Sequence, residues 1–111
     1  MIYGIEIWSA KPAWLELSVE QRGAYMNNVG AAMEQMTKDG IKMLTWSYND
    51  PATDERAKYD YFAIWTFPNQ EIANGFFATV KGAGWYKYFD QINTMGAEDT
   101  AQNVIGKIVQ L

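Results

Sequence analysis

The chain has 111 residues, enough for one compact domain spanning 1–111 and too few for two. Thirteen acidic against nine basic residues leave a net charge of −4, and only Arg22 and Arg56 are arginines, so there is no phosphate-neutralising surface and no nucleic-acid partner is expected. With no cysteine and no histidine, disulfides, thiolate nucleophiles and the commonest general base and transition-metal ligands all drop out.

The first fourteen residues, MIYGIEIWSAKPAW, lack the basic start and unbroken apolar run of a secretory signal. No stretch approaches the roughly 20 apolar residues of a membrane span, so a cytoplasmic protein off the membrane is expected. Residues 2–9 alternate with period two, placing Ile2, Gly4, Glu6 and Trp8 on one face of a strand and Tyr3, Ile5 and Ile7 on the other. Which face meets the helices stays open at this point. Ser18 followed by Gln21 reads as a capping box that starts a helix near Val19. Val19, Gly23, Met26, Gly30 and Met33 then recur at three and four residues as its inward stripe. Glycine costs about 1 kcal/mol against alanine inside a helix, so Gly23 and Gly30 imply close approach, to a strand or to a ligand.

Asp39-Gly40 ends that helix, and residues 41–49 form a second strand with Leu44, Trp46 and Tyr48 on one face. Asn49 to Lys58 is a polar hairpin connection. Tyr59 to Phe67 reads as a central strand, bulky on both sides, with Tyr59, Tyr61, Ala63, Trp65 and Phe67 sharing a face. Asn69 caps a helix carrying Ile72, Phe76, Phe77 and Val80, which Gly82-Ala83-Gly84 ends. The spacing of Trp85, Phe89 and Ile92 predicts a short helix over 85–93, followed by a loop from Thr94 to Asp99 and a last strand from Asn103 to Leu111. The order β-α-β-β-α-β predicts an α+β, ferredoxin-like domain: a four-stranded antiparallel sheet with two helices on one face. Its other face, apolar along strands one and three, would lie bare in a monomer, so a sheet-to-sheet homodimer is expected.

Three segments carry a resemblance. Trp14-Leu15-Glu16-Leu17-Ser18-Val19-Glu20-Gln21-Arg22 is similar to the segment leading into the first helix of darcynin-like proteins, Tyr61-Phe62-Ala63-Ile64-Trp65 to the third strand of antibiotic-biosynthesis-monooxygenase-type proteins, and Gly84-Trp85-Tyr86-Lys87-Tyr88-Phe89 follows the second helix. With the topology, these segments resemble the dimeric α/β-barrel superfamily, and within it a family without assigned function. The resemblance implies a small-molecule pocket between sheet and helices. Superfamily members include cofactor-free monooxygenases, isomerases and haem proteins, and fold does not choose among them. Haem-binding members use a histidine that this chain lacks, leaving tyrosine or methionine ligation as a weak substitute, so no cofactor is expected.

Glu6 is the one ionisable residue inside the first strand. Facing a pocket, it would hold a raised pKa and could accept a proton; at a sheet edge or dimer seam it would be hydrogen-bonded and inert. Trp65, placed like the cavity-lining tryptophan of monooxygenase-like members, could stack a flat ligand with Tyr61 on its face, and Trp8, Trp46, Trp85 and Tyr86 near by; an ordinary aromatic core is the alternative. Tyr25 and Asn28 share a helical face and point either to the pocket mouth or to solvent. The reading is therefore a homodimer that binds a planar or apolar metabolite, with Glu6 and Tyr61 as catalytic candidates and Trp8, Tyr25, Trp46, Trp65, Trp85 and Tyr86 as ligand contacts. A non-catalytic binding or structural protein is its rival. Asp60 is expected to pair across the hairpin with Arg56 or Lys58, and Met26, Met33 and Met36 to serve as adaptable packing. Glu20, Glu34 and Glu71 lie on helical faces without a second ligand at metal spacing.

Overall fold

A computed structural model describes residues 1–111. The elements are β1 (Ile2–Ala10), α1 (Pro12–Leu15), α2 (Val19–Lys38), β2 (Lys42–Tyr48), β3 (Tyr61–Phe67), α3 (Gln70–Gly82), α4 (Trp85–Tyr88), β4 (Phe89–Ala97) and α5 (Ala101–Val109). The strands form one antiparallel sheet in the order β2-β3-β1-β4. The two long helices α2 and α3 lie on the same side of it, giving the ferredoxin-like α+β architecture that the sequence predicts. None of the helices is long and apolar enough to cross a membrane.

Local chemistry sets the helix starts. The Ser18 hydroxyl accepts the Gln21 N–H at 3.1 Å while the Gln21 side-chain oxygen accepts the Ser18 N–H at 2.9 Å, the reciprocal box expected there. Asn69 Oδ1 accepts the Ile72 N–H at 2.9 Å and opens α3. Past α2, Gly40 takes a left-handed φ of 85°. The Arg56–Asp60 pair forms at 3.9 Å on the exposed hairpin connection, where such a pair contributes little.

The core lies between the sheet and α3. Phe67 is completely enclosed, packed on Phe76 at 5.1 Å between ring centroids and on Phe77 at 6.3 Å. It also explains the glycine in β1: a Cβ at Gly4 would stand 2.8 Å from Phe67 Cε2. Because that ring is fully buried and packed on Phe76 and Phe77, Gly4→Ala is expected to cost about 1–3 kcal/mol in urea denaturation. An unchanged midpoint would show that the ring can yield.

Helix α2 keeps Met26 and Met33 of its predicted inward stripe and turns the other three residues outward. The inward residues are Tyr25, Met26, Val29, Met33 and Met36, while Val19 is 78 % exposed. The glycines belong to the outer side: nothing lies within 4 Å of a Cβ built at Gly23 or Gly30. The close approach inferred from them is therefore absent. Gly30→Ala should stabilise the protein by about 0.5–1 kcal/mol through helix propensity alone, raising the thermal midpoint. A lower midpoint would mean that Gly30 is packed against something after all.

The last quarter of the chain corrects the prediction most. Helix runs only over Trp85–Tyr88; Phe89–Ala97, predicted as helix and loop, is the strand that pairs with β1, from Ile2 opposite Ala97 to Ala10 opposite Phe89. In place of the last strand predicted from Asn103 to Leu111, Ala101–Val109 is helix, with the Thr100 hydroxyl accepting the Asn103 N–H at 3.1 Å. At the other ends, β1 continues to Ala10, and β3 begins at Tyr61 rather than Tyr59. Every residue from 92 to 111 is exposed, and α5 shows solvent an apolar stripe of Val104, Ile105 and Ile108.

Candidate functional site

Strand pairing decides the open question of parity. In β1, Ile2, Gly4, Glu6 and Trp8 point to the helices and are buried, whereas Tyr3, Ile5 and Ile7 point to the bare outer face. On the neighbouring strands, Gly4 lies opposite Trp65, Glu6 opposite Ala63 and Asn93, and Trp8 opposite Gln91. Trp65 and Gln91 therefore flank Glu6 diagonally on the same face.

Glu6 is only 4 % exposed and has no cationic partner. Its carboxyl is held by neutral donors instead: the Trp65 indole N–H donates to Oε1 at 2.7 Å, and the Gln91 amide donates to Oε2 at 2.7 Å. Gln91 is itself oriented, because its Oε1 accepts the Trp85 indole N–H at 2.7 Å and its amide also donates to Asn93 Oδ1 at 2.8 Å. Both Glu6 oxygens thus act as acceptors, one from an indole N–H and one from an amide N–H. Burial pushes the Glu6 pKa above the ordinary value of about 4.5, against the opposing pull of the bonds from Gln91 and Trp65. A carboxyl so placed holds a proton more readily than a solvated one, the property that general acid–base work requires.

Glu6 sits on the wall of a cavity of about 290 Å³ between the sheet and the two helices. Helix α2 supplies Tyr25, Asn28, Val29, Met33 and Met36, helix α3 supplies Phe76, Thr79 and Val80, and Trp46, Trp65 and Trp85 complete the wall. The cavity exists because α2 stands off the sheet: no α2 residue is buried, whereas α3 buries Ala73 and Phe76. The Tyr25 hydroxyl donates to the Ala83 carbonyl at 3.0 Å, and burial, with Tyr88 adding to it, raises its pKa. A second hollow of about 370 Å³, walled by Trp8, Trp14, Tyr48, Tyr61 and Phe89, lies on the other side of Trp46 and Trp85.

The predicted residues thus divide. Glu6, Tyr25, Trp46, Trp65 and Trp85 meet at the first cavity, together with Asn28. Trp8 and Tyr61 border the second hollow, their rings 6.0 Å apart, and Tyr61 is not brought to Glu6. Tyr86 borders neither; its hydroxyl accepts from Asn93 Nδ2 at 3.3 Å in a shallow depression beside Lys81. Gln91 escaped sequence reading because its segment looked helical. Read as a strand, Phe89-Gln91-Asn93 would have shown the amide on the face of Glu6.

A four-stranded antiparallel sheet with two helices over one face and a hollow between the layers defines a ferredoxin-like α+β domain. The chain belongs to a family of unknown function, DUF6616, whose profile matches residues 1–111. No curated protein matches the sequence. Among solved structures, a candidate chlorite dismutase is similar with a TM-score of 0.69 at 14 % identity, over 96 % of this chain and 47 % of that one. The chain thus spans about half the length of that protein, and the likeness is one of fold. A 5-chloro-2-hydroxyhydroquinone dehydrochlorinase from Burkholderia phenoliruptrix AC1100, in complex with 2,5-dihydroxybenzoquinone, aligns at a TM-score of 0.48 and 15 % identity over 93 % of this chain and 98 % of that one.

Proposed function

We propose that this domain binds one compact molecule with an apolar body in the cavity under α2, and that Glu6 exchanges a proton with it. One observation carries the reading: a buried carboxyl without a cation stands on the wall of a space whose lining is otherwise almost wholly apolar, eleven of its fourteen residues being hydrophobic. Pockets for small ligands have this make-up, an apolar body with few polar groups that fix orientation. The volume is roughly twice the ~150 Å³ of a cavity that takes benzene, which suits a one- or two-ring molecule. Trp46, Trp65 and Trp85 supply aromatic wall to it, and Glu6 supplies the acceptor. The chemistry favoured is a proton shift of the isomerase kind, in which the carboxyl takes a proton from one atom of the substrate and returns it to another. Tyr61 supports Trp8 in the neighbouring hollow rather than acting at Glu6. Native mass spectrometry of freshly purified protein tests the pocket: a retained mass within this size range is expected. For any turnover then found with the identified molecule, Glu6→Gln should lower the rate by about 10²–10⁴-fold; an unchanged rate would remove Glu6 from the chemistry.

The working unit in this reading is a homodimer with the outer sheet faces in contact. Support comes from area. The protomer exposes 7747 Å², against about 6,200 Å² expected for a compact monomer of 12.7 kDa. The excess of roughly 1,500 Å² falls within the 1,000–2,500 Å² that each partner buries in an obligate dimer. Tyr3, Ile92 and the α5 stripe of Val104, Ile105 and Ile108 are the exposed apolar groups that a second copy would cover. Sedimentation velocity should give two subunits at micromolar concentration; a single subunit would overturn the dimer and leave the cavity reading untouched.

A further inference from the structure

Resting on the cavity reading above, we infer that the molecule taken up beside Glu6 is a cationic amine with an aromatic or apolar body, and that anions are refused. The cavity wall contains one charged side chain, and it is acidic. Neither α2 nor α3 brings a lysine or arginine to it; their polar contributions are Tyr25, Asn28 and Thr79, all neutral. The sheet adds only Glu6 and indole rings. Lys11, which neighbours this end of the fold, is engaged elsewhere, its Nζ donating to the Tyr86 carbonyl at 2.6 Å.

Two properties of such a wall act in the same direction. An anion would meet a like charge with no cation on the wall to offset it. An ammonium would instead receive the counter-ion that Glu6 lacks, in a charge-assisted hydrogen bond about twice as strong as a neutral one. The rings of Trp46, Trp65 and Trp85 stand on the same wall, and aromatic rings attract an ammonium placed over their faces, as aromatic cages do. Glu6 also keeps acceptor capacity for this bond. A carboxylate offers about four lone-pair sites, and its protein partners use two, one from Trp65 and one from Gln91.

The test is calorimetric titration of the whole protein at pH 7.5 with three probes of matched shape: 2-phenylethylammonium, 2-phenylethanol and 3-phenylpropanoate. The amine should bind about tenfold or more tighter than the alcohol, and the carboxylate most weakly. In wild-type protein, lowering the pH through the titration of Glu6 should weaken the amine and leave the alcohol unchanged, which needs no variant. In Glu6→Gln, the amine's advantage over the alcohol should vanish while alcohol affinity persists. Alcohol binding without an amine preference would overturn the cationic class but keep the cavity as a ligand site. Carboxylate binding equal to or tighter than amine binding would do the same. Failure of all three probes would overturn this inference and count against the cavity reading as well.

Discussion

Trp65→Ala is expected to cost about 3–5 kcal/mol, the largest single loss in the domain, read as a thermal midpoint lower by on the order of 10–30 °C. Two effects add at this position. The indole is buried at 3 % exposure and packs on Phe76 with ring centroids 4.9 Å apart, so truncation opens a void that the sheet cannot close. It also donates one of the two hydrogen bonds that hold the Glu6 carboxyl, so truncation strips a buried charged group of half its support. Trp65→Phe separates them. It keeps most of the ring and deletes only the donor, and should cost about 1–3 kcal/mol while driving the Glu6 pKa further up. Denaturant titration of both variants decides the point. Equal losses would show that the hydrogen bond, not the packing, dominates.

The second expectation concerns pH. Burial raises the Glu6 pKa in the folded state above its unfolded value near 4.5, so between those two values the folded protein holds a proton that the unfolded chain has released. Unfolding free energy must therefore fall as pH rises from about 4.5 through the folded-state pKa, and level off above it. Asp99 titrates in the opposite sense and in another window: the side chain of Asn103 and the backbone N–H of Thr100 lower its pKa, so its contribution is present above 3.8 and disappears as the pH falls. Glu6→Gln should abolish the fall above 4.5. It should also be about 1–3 kcal/mol less stable than wild type near pH 4, where Glu6 is neutral. An amide cannot replace the acid, since its NH2 must face either the Trp65 indole N–H or the Gln91 amide N–H. Turning Gln91 round would only transfer the conflict to the Trp85 N–H. Urea titrations of both proteins at several pH values test this, and a wild-type stability that rises over the same interval would refute the burial argument.

Much of this was legible in sequence. The first three strands announced themselves as short runs rich in aromatic and β-branched residues between turn and cap signals. Helix starts were equally plain, since Ser18 with Gln21 and Asn69 satisfy backbone N–H groups with their own side chains. The last quarter was misread because its local signals conflict with its long-range pairing. Trp85, Phe89 and Ile92 have helical spacing, yet the segment from Phe89 onward is fixed by backbone bonds to β1, about eighty residues earlier. In 103–111 the β-branched valines and isoleucines suggested a strand, although Val104, Ile105, Ile108 and Val109 already lie on one helical stripe behind a Thr100 cap. Exchanging those two elements hid Gln91, and with it the donor that completes the carboxyl's environment. Gly23 and Gly30 misled for another reason: a glycine can mark close approach, and it can also sit where nothing approaches at all.

The central place of β1 has a consequence for how the chain is made. Its partners in the sheet are β3 and β4, so β1 finds no neighbour until residue 61 exists, and its second only after residue 89. Glu6 waits with it: its indole donor is at position 65 and its amide donor at 91. A nascent chain stopped short of that glutamine would have to bury a carboxyl with half its bonds missing. The domain therefore closes through distant pairings, which make such topologies slow to fold. Until then its strands are exposed to whatever else in the cell can pair with them.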